Sequence, residues 1–231
     1  MEVGLYVISY NRWNEINTYK FVPTSTYVVR KSQEENYKKA GIKKIWAVED
    51  DLIDSWVNVM NYVVENAKEN NIVIMDDDII GFSYVHKIAD WIEDTEIIRD
   101  ELERISTIIY DLELGHGLFN FTPDARKYSQ EFAFHGTGGS VYFFNREKVK
   151  SKFFNEAYAV ADAEFQLQEL LENRIVIYPQ YITSKSNYNQ GSNTQKRTLQ
   201  KVNDSILWTK RKWGKYFDVN EKWKTKIKIK R

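Results

Sequence analysis

Short apolar runs alternate with helical segments over the first third of the chain, and this alternation restricts the fold more than any other feature. Four runs have the length of a strand, and they cover residues 4–9, 26–30, 44–48 and 72–75. Short, continuously apolar runs are typical of strands whose two faces are both covered. Strands that alternate with helices pair in parallel through right-handed crossovers. The sequence therefore predicts an α/β fold with a mostly parallel sheet flanked by helices.

The helices carry local start and stop signals. Ser32, with Glu35 three residues later, matches a capping box at the start of the first helix, and Gly41 matches its C-cap. Further helices are predicted over residues 53–69, 94–112, 161–172 and 198–213, and further strands over 118–121, 131–135, 140–144 and 174–178. The polar stretch 184–198 is predicted to be a loop, and residues 222–231 an edge strand or disordered.

Composition excludes several classes of protein. With 231 residues, 42% of them hydrophobic, the chain can bury the core of a full α/β domain. It has no cysteine, which excludes disulfides and thiolate sites. No apolar stretch approaches the roughly 18 residues of a membrane helix, and no targeting segment is recognisable. We therefore expect a soluble, cytoplasmic protein. A P-loop nucleotide site is also excluded, because no GxxxxGK[ST] pattern occurs.

The charge is distributed unevenly although the chain is neutral as a whole. Residues 196–231 hold 13 Lys and Arg against 3 acidic residues, a balance of +10, so residues 1–195 carry −10. This asymmetry predicts a domain over 1–195 and a basic C-terminal extension over 196–231. A basic extension favours a polyanionic partner such as nucleic acid. The alternative is a basic tail held against the acidic surface of the domain.

Three consecutive carboxylates, Asp76, Asp77 and Asp78, follow the fourth predicted strand. Like charges this close repel one another, and a divalent cation with a preference for oxygen ligands, Mg²⁺ or Mn²⁺, removes the conflict. A solvated acidic turn is the alternative. Ligands of open parallel sheets bind at the carboxyl ends of the strands. We therefore expect the triplet, the turn at residues 9–12 and Arg30 to line one crevice.

This strand and triplet resemble the DXD motif of GT-A glycosyltransferases. The resemblance implies that Asp78 ligates a metal bridging two phosphates and that Asp76 contacts the ribose or a metal-bound water, with Asp77 as the variable middle position. The turn resembles the first nucleotide-binding loop of that family. Ser9, Tyr10 and Arg12 would then contact the base or ribose, and Arg30 would complete the pocket. The cofactors implied are Mn²⁺ or Mg²⁺ and a nucleoside-diphosphate sugar, with a UDP-sugar favoured.

Two further segments match the family in the expected order, so that the resemblance covers residues 4–180. The glycine cluster at 136–139 and the strand after it are similar to the donor-sugar segment, which places Gly138, Gly139 and His135 at the site. The helix start at residues 161–165 resembles the acidic acceptor motif, with Asp162 as the general base and Glu164 as a second candidate. Both acids also suit the N-terminus of a helix, where the dipole favours negative charge.

The compact form is similar to the small bacteriophage glycosyltransferases that modify hydroxymethylated DNA bases. DNA would then be the acceptor and the host cytoplasm the location. Lysines of the extension would neutralise phosphates, and its aromatic residues would stack on an exposed base, which must leave the duplex stack to react. These aromatic residues are Trp208, Trp213, Tyr216, Phe217 and Trp223.

Several alternatives stay open from the sequence. A glycan, lipid or protein acceptor fits the same pocket type, and a nucleotidyltransferase also binds a metal beside a nucleotide. A nucleic-acid-binding module with an acidic surface turn is the non-enzymatic alternative. The sequence does not decide between inversion and retention of configuration. His116 and His135 are candidates to bind a metal or a phosphate, with a structural loop histidine as the alternative. Residues 187–193 are a candidate lid over the diphosphate, with a loop that is only mobile as the alternative.

Overall fold

The structure is a computed structural model that describes residues 2–85, 90–120, 128, 130–134, 136, 138–187, 198–220 and 225–229. The strands are β1 Val3–Ile8, β2 Thr26–Arg30, β3 Ile45–Val48, β4 Asn71–Asp76, β5 Ile79–Tyr84, β6 Asp90–Ile92, β7 His116–Asn120, β8 Phe132–Ala133, β9 Gly138–Asn145, β10 Tyr178–Pro179, β11 Ile182–Ser186, β12 Phe217–Val219 and β13 Thr225–Ile227. The α-helices are α1 Glu34–Lys39, α2 Trp56–Asn66, α3 Thr95–Asp111, α4 Ala161–Glu172 and α5 Leu199–Trp213.

A six-stranded sheet in the order β3-β2-β1-β4-β9-β7 forms the centre of the molecule. β3, β2, β1 and β4 pair in parallel, while β9 runs antiparallel to both of its neighbours. In this register Ile8 at the end of β1 lies opposite Asp76 at the end of β4. The mostly parallel α/β sheet is therefore confirmed, and the turn after β1 lies beside the acidic triplet.

The sheet is covered on both faces, as its apolar strands require. Along β4, Ile72 and Ile74 point into one cluster, which contains residues of α2, α4 and α5. Val73 and Met75 point into the other cluster, which contains residues of α1 and α3. Successive residues of a strand face opposite sides, so an unbroken apolar run places one half of its side chains in each layer.

A small antiparallel sheet in the order β11-β5-β6 follows directly from the triplet, and it was not predicted. The predicted loop at 184–198 is wrong at its start, because Ser184 and Ser186 are buried in β11. The predicted strand at 174–178 is also wrong over most of its length, since the chain forms a strand only at Tyr178–Pro179. Both errors involve pairing partners far away in sequence, which local composition does not indicate.

The helix ends test the capping residues that the sequence predicts. The predicted capping box at Ser32 is wrong, because the Ser32 hydroxyl donates to Asp50 at 2.5 Å and a short 3₁₀ helix precedes α1. Gly41 does end α1, with a φ of 91° and the N–H of Ile42 bonded to the Tyr37 carbonyl. This is a Schellman end, whose positive φ suits glycine. α2 begins at Ser55, whose hydroxyl accepts from the Asn58 N–H.

The described part of the C-terminal extension is packed against the domain. Ile206 of α5 and Phe217 of β12 are buried in the same cluster as α2 and α4. β12 pairs with β13 as an antiparallel hairpin, which gives part of 222–231 the predicted edge-strand structure. No helix in the described ranges is long and apolar enough to cross a membrane.

Candidate active site

The carboxyl ends of β1, β2 and β4 bring together the turn at residues 9–12, Arg30 and the acidic triplet. The Ser9 N–H donates to the Val28 carbonyl, which fixes the turn against the neighbouring strand. Asn11 has a φ of 58°, and its side chain accepts from the Gln33 amide at 2.6 Å while its N–H donates to Gln33 Oε1 at 3.0 Å. This two-way contact holds a backbone conformation that asparagine tolerates better than most residues.

Asp77 is turned inward and tethered to the turn after β1. Its carboxylate accepts hydrogen bonds from Ser9 Oγ at 2.5 Å and from Arg12 Nη1 at 2.9 Å. Burial raises the pKa of Asp77 to about 6, although Arg12 and Ser9 oppose the rise. The middle acid of the triplet therefore joins β4 to β1 in this structure.

Asp76 is the most strongly perturbed acid of the triplet. Burial, followed by the charges of Asp78 and Asp77, raises its pKa to about 7, while a hydrogen bond from the Trp56 side chain acts in the opposite direction. The Asp76 backbone is fixed from another side, because Thr18 Oγ1 donates to its carbonyl at 2.7 Å. A buried carboxylate with like charges beside it is the arrangement that a cation relieves.

Asp78 is more exposed than Asp77, with its side chain 19% accessible. Arg12 Nη1 lies 3.4 Å from Asp78 Oδ2, and the Ser186 hydroxyl donates to the same carboxylate. Burial still raises the pKa of Asp78. The Asn187 N–H donates to the Asp78 carbonyl at 3.1 Å, so β11 closes this side of the triplet.

The donor set fits a cation that takes its remaining ligands from a substrate. Among the described residues, no group of three or more His, Cys, Asp and Glu forms a complete metal site. Asp77 is occupied by Ser9 and Arg12, which leaves Asp76 and Asp78 as carboxylate ligands. Mg²⁺ is commonly held by one or two carboxylates together with substrate phosphates, and hard oxygen ligands suit Mn²⁺ equally.

Tyr10 and Arg30 form a stacked pair at the edge of the crevice. The guanidinium of Arg30 lies 4.2 Å from the centroid of the Tyr10 ring. Arg30 also donates to the carbonyls of Ile53 and Asp54, which holds the segment before α2. A planar cation lying on an aromatic ring offers a flat polar surface, and such surfaces bind planar ligands.

The glycine cluster lies where β9 enters the sheet. A Cβ on Gly138 would lie 2.0 Å from the Phe119 carbonyl oxygen, so the approach of β9 to β7 already requires this glycine. Gly139 is buried in β9, and Gly136 lies against the Tyr178 ring. The next residue, Ser140, is buried with a φ of 67°, and its hydroxyl lies 3.0 Å from that of Ser186. His135 lies outside the described residues.

The two acids at the start of α4 lie in different surroundings. Asp162 is half-buried, and its charge contributes to the raised pKa of Tyr178. Glu164 has a fully buried side chain that accepts from Lys212 Nζ at 2.7 Å, Trp213 Nε1 at 3.1 Å and Gln168 Nε2 at 2.7 Å. Burial raises the pKa of Glu164, and Lys212 is the main opposing influence. Glu164 connects α4 to α5, whereas Asp162 stays partly exposed to solvent.

His116 is a structural residue of β7. It is 1% exposed, stacks on Phe144, and its Nδ1 lies 2.8 Å from the Phe143 carbonyl, which requires a proton on that nitrogen. Burial lowers the pKa of His116 to about 3. A neutral, enclosed histidine of this kind is not available to a metal or a phosphate at the surface.

The geometry depends on residues that sequence reasoning did not select. They are Thr18, Gln33, Tyr37, Trp56, Ser140 and Ser186. Trp56 lies within the helix predicted over residues 53–69, and the others are isolated polar or aromatic residues without a motif. Thr18 shows its role only in the fold, where it is 0% exposed and bonds to the Asp76 carbonyl and the Ile79 N–H.

Comparison with solved structures identifies the fold. A mannosyltransferase from Pyrobaculum calidifontis, solved with GDP-mannose and Mn²⁺, matches with a TM-score of 0.59 and 16% identity over 90% of this chain and 64% of that one. The fold is that of GT-A glycosyltransferases. Glucosyl-3-phosphoglycerate synthase from Mycobacterium tuberculosis, solved with Mn²⁺, UDP-glucose and phosphoglyceric acid, matches with a TM-score of 0.55 and 9% identity over 97% of this chain and 86% of that one.

The two matches differ in how much of the known protein they cover. This chain spans less than two thirds of the mannosyltransferase but most of the synthase. The sequence matches no protein-family model, and the search of curated proteins finds no match either. The similarity to GT-A glycosyltransferases therefore rests on structure, and at these identities it establishes the fold.

Proposed function

We propose that this protein is a metal-dependent glycosyltransferase that uses a nucleoside-diphosphate sugar, with a UDP-sugar favoured. The observation that carries the proposal is the pair of half-buried carboxylates, Asp76 and Asp78, at the carboxyl edge of a GT-A sheet. Their raised pKa values indicate a site built for a cation. The two matched structures contain Mn²⁺ with GDP-mannose or UDP-glucose, and a further structure of the synthase contains Mg²⁺ and UDP, which supports either metal.

Each residue of the crevice then has a task. Asp76 and Asp78 would hold the divalent ion, which supplies positive charge to the leaving diphosphate. Ser9 and Arg12 fix the middle acid, and the Tyr10–Arg30 pair provides a flat surface for the nucleoside. The guanidinium of Arg12 adds a second positive charge to the crevice. The pKa of Arg12 is raised, because the charges of Asp77 and Asp78 outweigh the effect of burial. Backbone of Gly138 and Gly139 borders the donor sugar in this proposal.

Asp162 is assigned to the acceptor. As the oxygen of the acceptor hydroxyl bonds to the anomeric carbon, the bond to the diphosphate breaks and a nucleoside diphosphate leaves. In an inverting reaction the hydroxyl proton passes to the Asp162 carboxylate. In a retaining reaction Asp162 positions the substrate. The buried Glu164, which contacts Lys212 and Trp213, takes neither role in this proposal.

The acceptor we propose is a hydroxymethylated base of DNA. Support comes from the basic extension, whose exposed cations include Lys201, Arg211 and Lys215. Two of the aromatic residues predicted to stack on a base are already engaged within the protein. Trp213 donates to Glu164, and Phe217 is buried. Tyr216 is 37% exposed and stays a candidate, and Trp223 lies outside the described residues. Residues 1–195 would serve as the catalytic unit and 196–231 as the acceptor-binding part.

The test is release of nucleoside diphosphate from a panel of nucleotide sugars with Mn²⁺, with and without hydroxymethylated DNA. We expect DNA-dependent release by the wild type and at least a hundredfold loss in Asp78→Asn. Asp100→Asn, which removes an exposed carboxylate on α3, is the matched control and should retain turnover. Slow release that ignores DNA would keep the glycosyltransferase and reject the DNA acceptor. Release of pyrophosphate would instead indicate nucleotidyl transfer.

A further inference from the structure

An exposed tryptophan lies flat on the small sheet beside the acidic triplet. Trp91, in the edge strand β6, is 45% exposed. A Cβ placed on Gly81 of β5 would lie only 2.4 Å from Trp91 Cζ3, so the indole rests directly on the glycine backbone. Any larger residue at position 81 would push the ring away from the sheet. The glycine thus fixes a large aromatic ring whose remaining surface faces solvent.

A lysine stands beside this ring on the opposite strand. Lys185 of β11 pairs in register with Gly81, and its ammonium lies 5.6 Å from the centroid of the Trp91 ring. The residue is exposed, and no carboxylate of the described residues forms an ion pair with it. The sheet therefore presents an aromatic face together with a cation that can bind an external anion.

Both strands lead directly to the candidate active site. Asp78 is three residues before Gly81, which corresponds to about 10 Å along a strand. Ser186 follows Lys185 in the chain, and its hydroxyl donates to the Asp78 carboxylate. Because successive residues of a strand face opposite sides, Ser186 reaches Asp78 from the buried face of β11 while Lys185 and Trp91 lie on the exposed face, and the small sheet joins the two places within about 10 Å along the strand.

We propose that Trp91 and Lys185 form an acceptor subsite that binds one nucleotide of a nucleic acid, with a base on the indole and a phosphate at the lysine. This inference rests on the proposed function and assigns part of its acceptor site. Aromatic side chains stack on bases of any sequence, and a neighbouring cation neutralises the backbone. A neutral sugar would also stack on the ring, but it has no negative charge for the lysine to bind.

Binding of a labelled single-stranded oligonucleotide, followed by fluorescence anisotropy, tests the stacking. Trp91→Ala should weaken binding about tenfold or more, whereas Trp91→Phe, which keeps an aromatic ring, should stay within about threefold of the wild type. Tyr110→Ala is the control, because Tyr110 is similarly exposed, at 41%, near the end of α3. Thermal melting of each variant confirms that it is folded.

The salt dependence of the same binding tests the lysine independently of the ring. Lys185→Gln should reduce the slope of log affinity against log salt by about 0.7, the value for one phosphate contact on a single strand. Lys43→Gln is the control. It removes an exposed cation just before β3, an edge strand of the central sheet, and should leave the slope unchanged. This readout remains informative if Trp91→Ala does not fold.

The outcomes separate this inference from the proposed function. Equal affinities of wild type, Trp91→Ala and Lys185→Gln, or no oligonucleotide binding by the wild type, would overturn the subsite. If Trp91→Ala loses binding to a neutral oligosaccharide but keeps its binding to DNA, the nucleotide assignment is overturned. Release of nucleoside diphosphate by the wild type is measured separately, with and without DNA. Absence of release under both conditions rejects the proposed function whatever the oligonucleotide data are.

Discussion

The Glu164 carboxylate, fully buried near the start of α4, lies 2.7 Å from the Lys212 ammonium near the end of α5. The same lysine lies 3.9 Å from the Phe154 ring centroid and is one-third exposed. Glu164 is two residues from Asp162, so the contact joins the C-terminal extension to the helix that carries the proposed base. The extension therefore helps to fix the position of the helix that carries the proposed base.

Removing the lysine should destabilise the protein because it leaves a buried carboxylate without its cation. We expect Lys212→Met to lower the free energy of unfolding by about 2–4 kcal/mol, since breaking a buried pair exposes the desolvation penalty of the remaining charge. Lys210→Met is the matched control on the same helix, since Lys210 pairs with the exposed Asp218. That change should lower the free energy of unfolding much less, because water screens an exposed ion pair. Urea denaturation measures both, and equal losses would contradict the structural role of Glu164.

Replacing the proposed base should separate chemistry from donor binding. In an inverting reaction, Asp162→Asn is expected to lower kcat by about 10²–10⁴-fold, the usual range for a general base, with little change in the KM of the donor. Steady-state kinetics at saturating metal measure both constants. Glu164→Gln is the comparison, because it should act mainly on stability. A folded Asp162→Asn enzyme with normal kcat would remove Asp162 from the base role.

The buried histidine should make the protein sensitive to acid. The pKa of His116 is lowered to about 3 in the fold, and its unfolded value is near 6.5, so the native state holds the neutral form. Its contribution to stability is complete above pH 6.5 and is lost as the pH falls from there towards 3. The wild type should therefore lose stability between pH 7 and 5 more steeply than His116→Phe. Denaturation at several pH values checks this, and parallel profiles would refute it.

Arg146 holds the end of α2 to the sheet. Its guanidinium donates to the carbonyls of Val64 and Glu65, in the last turn of α2, and to those of Ala67 and Glu69 just after it. Carbonyls of a last helical turn have no partner within the helix. Because charged hydrogen bonds are stronger than neutral ones, Arg146→Ala should cost about 2–4 kcal/mol of unfolding free energy. Arg99→Ala removes only surface ion pairs of α3, which water screens, and should destabilise the protein much less than Arg146→Ala. Chemical denaturation of the two variants provides the comparison.

Local patterns were sufficient where neighbours along the chain decide the structure. The four apolar runs became β1 to β4, and the helical spacing at 161–172 and 198–213 became α4 and α5. Gly41 ended its helix as predicted, because only local backbone geometry is involved. The capping box at Ser32 failed because Asp50, eighteen positions away, offers its hydroxyl a better partner.

The candidate site shows the same division. The sequence by itself determined the acidic triplet at the end of a buried strand, since an apolar run and three carboxylates need no distant information. Only the tertiary structure decided that Asp77 faces Ser9 and Arg12, that Glu164 is enclosed by α5, and that Trp91 lies on Gly81. Each of these contacts joins segments that are separate in the chain. Their partners are selected by packing and by the need to satisfy buried polar groups, and neither leaves a local pattern.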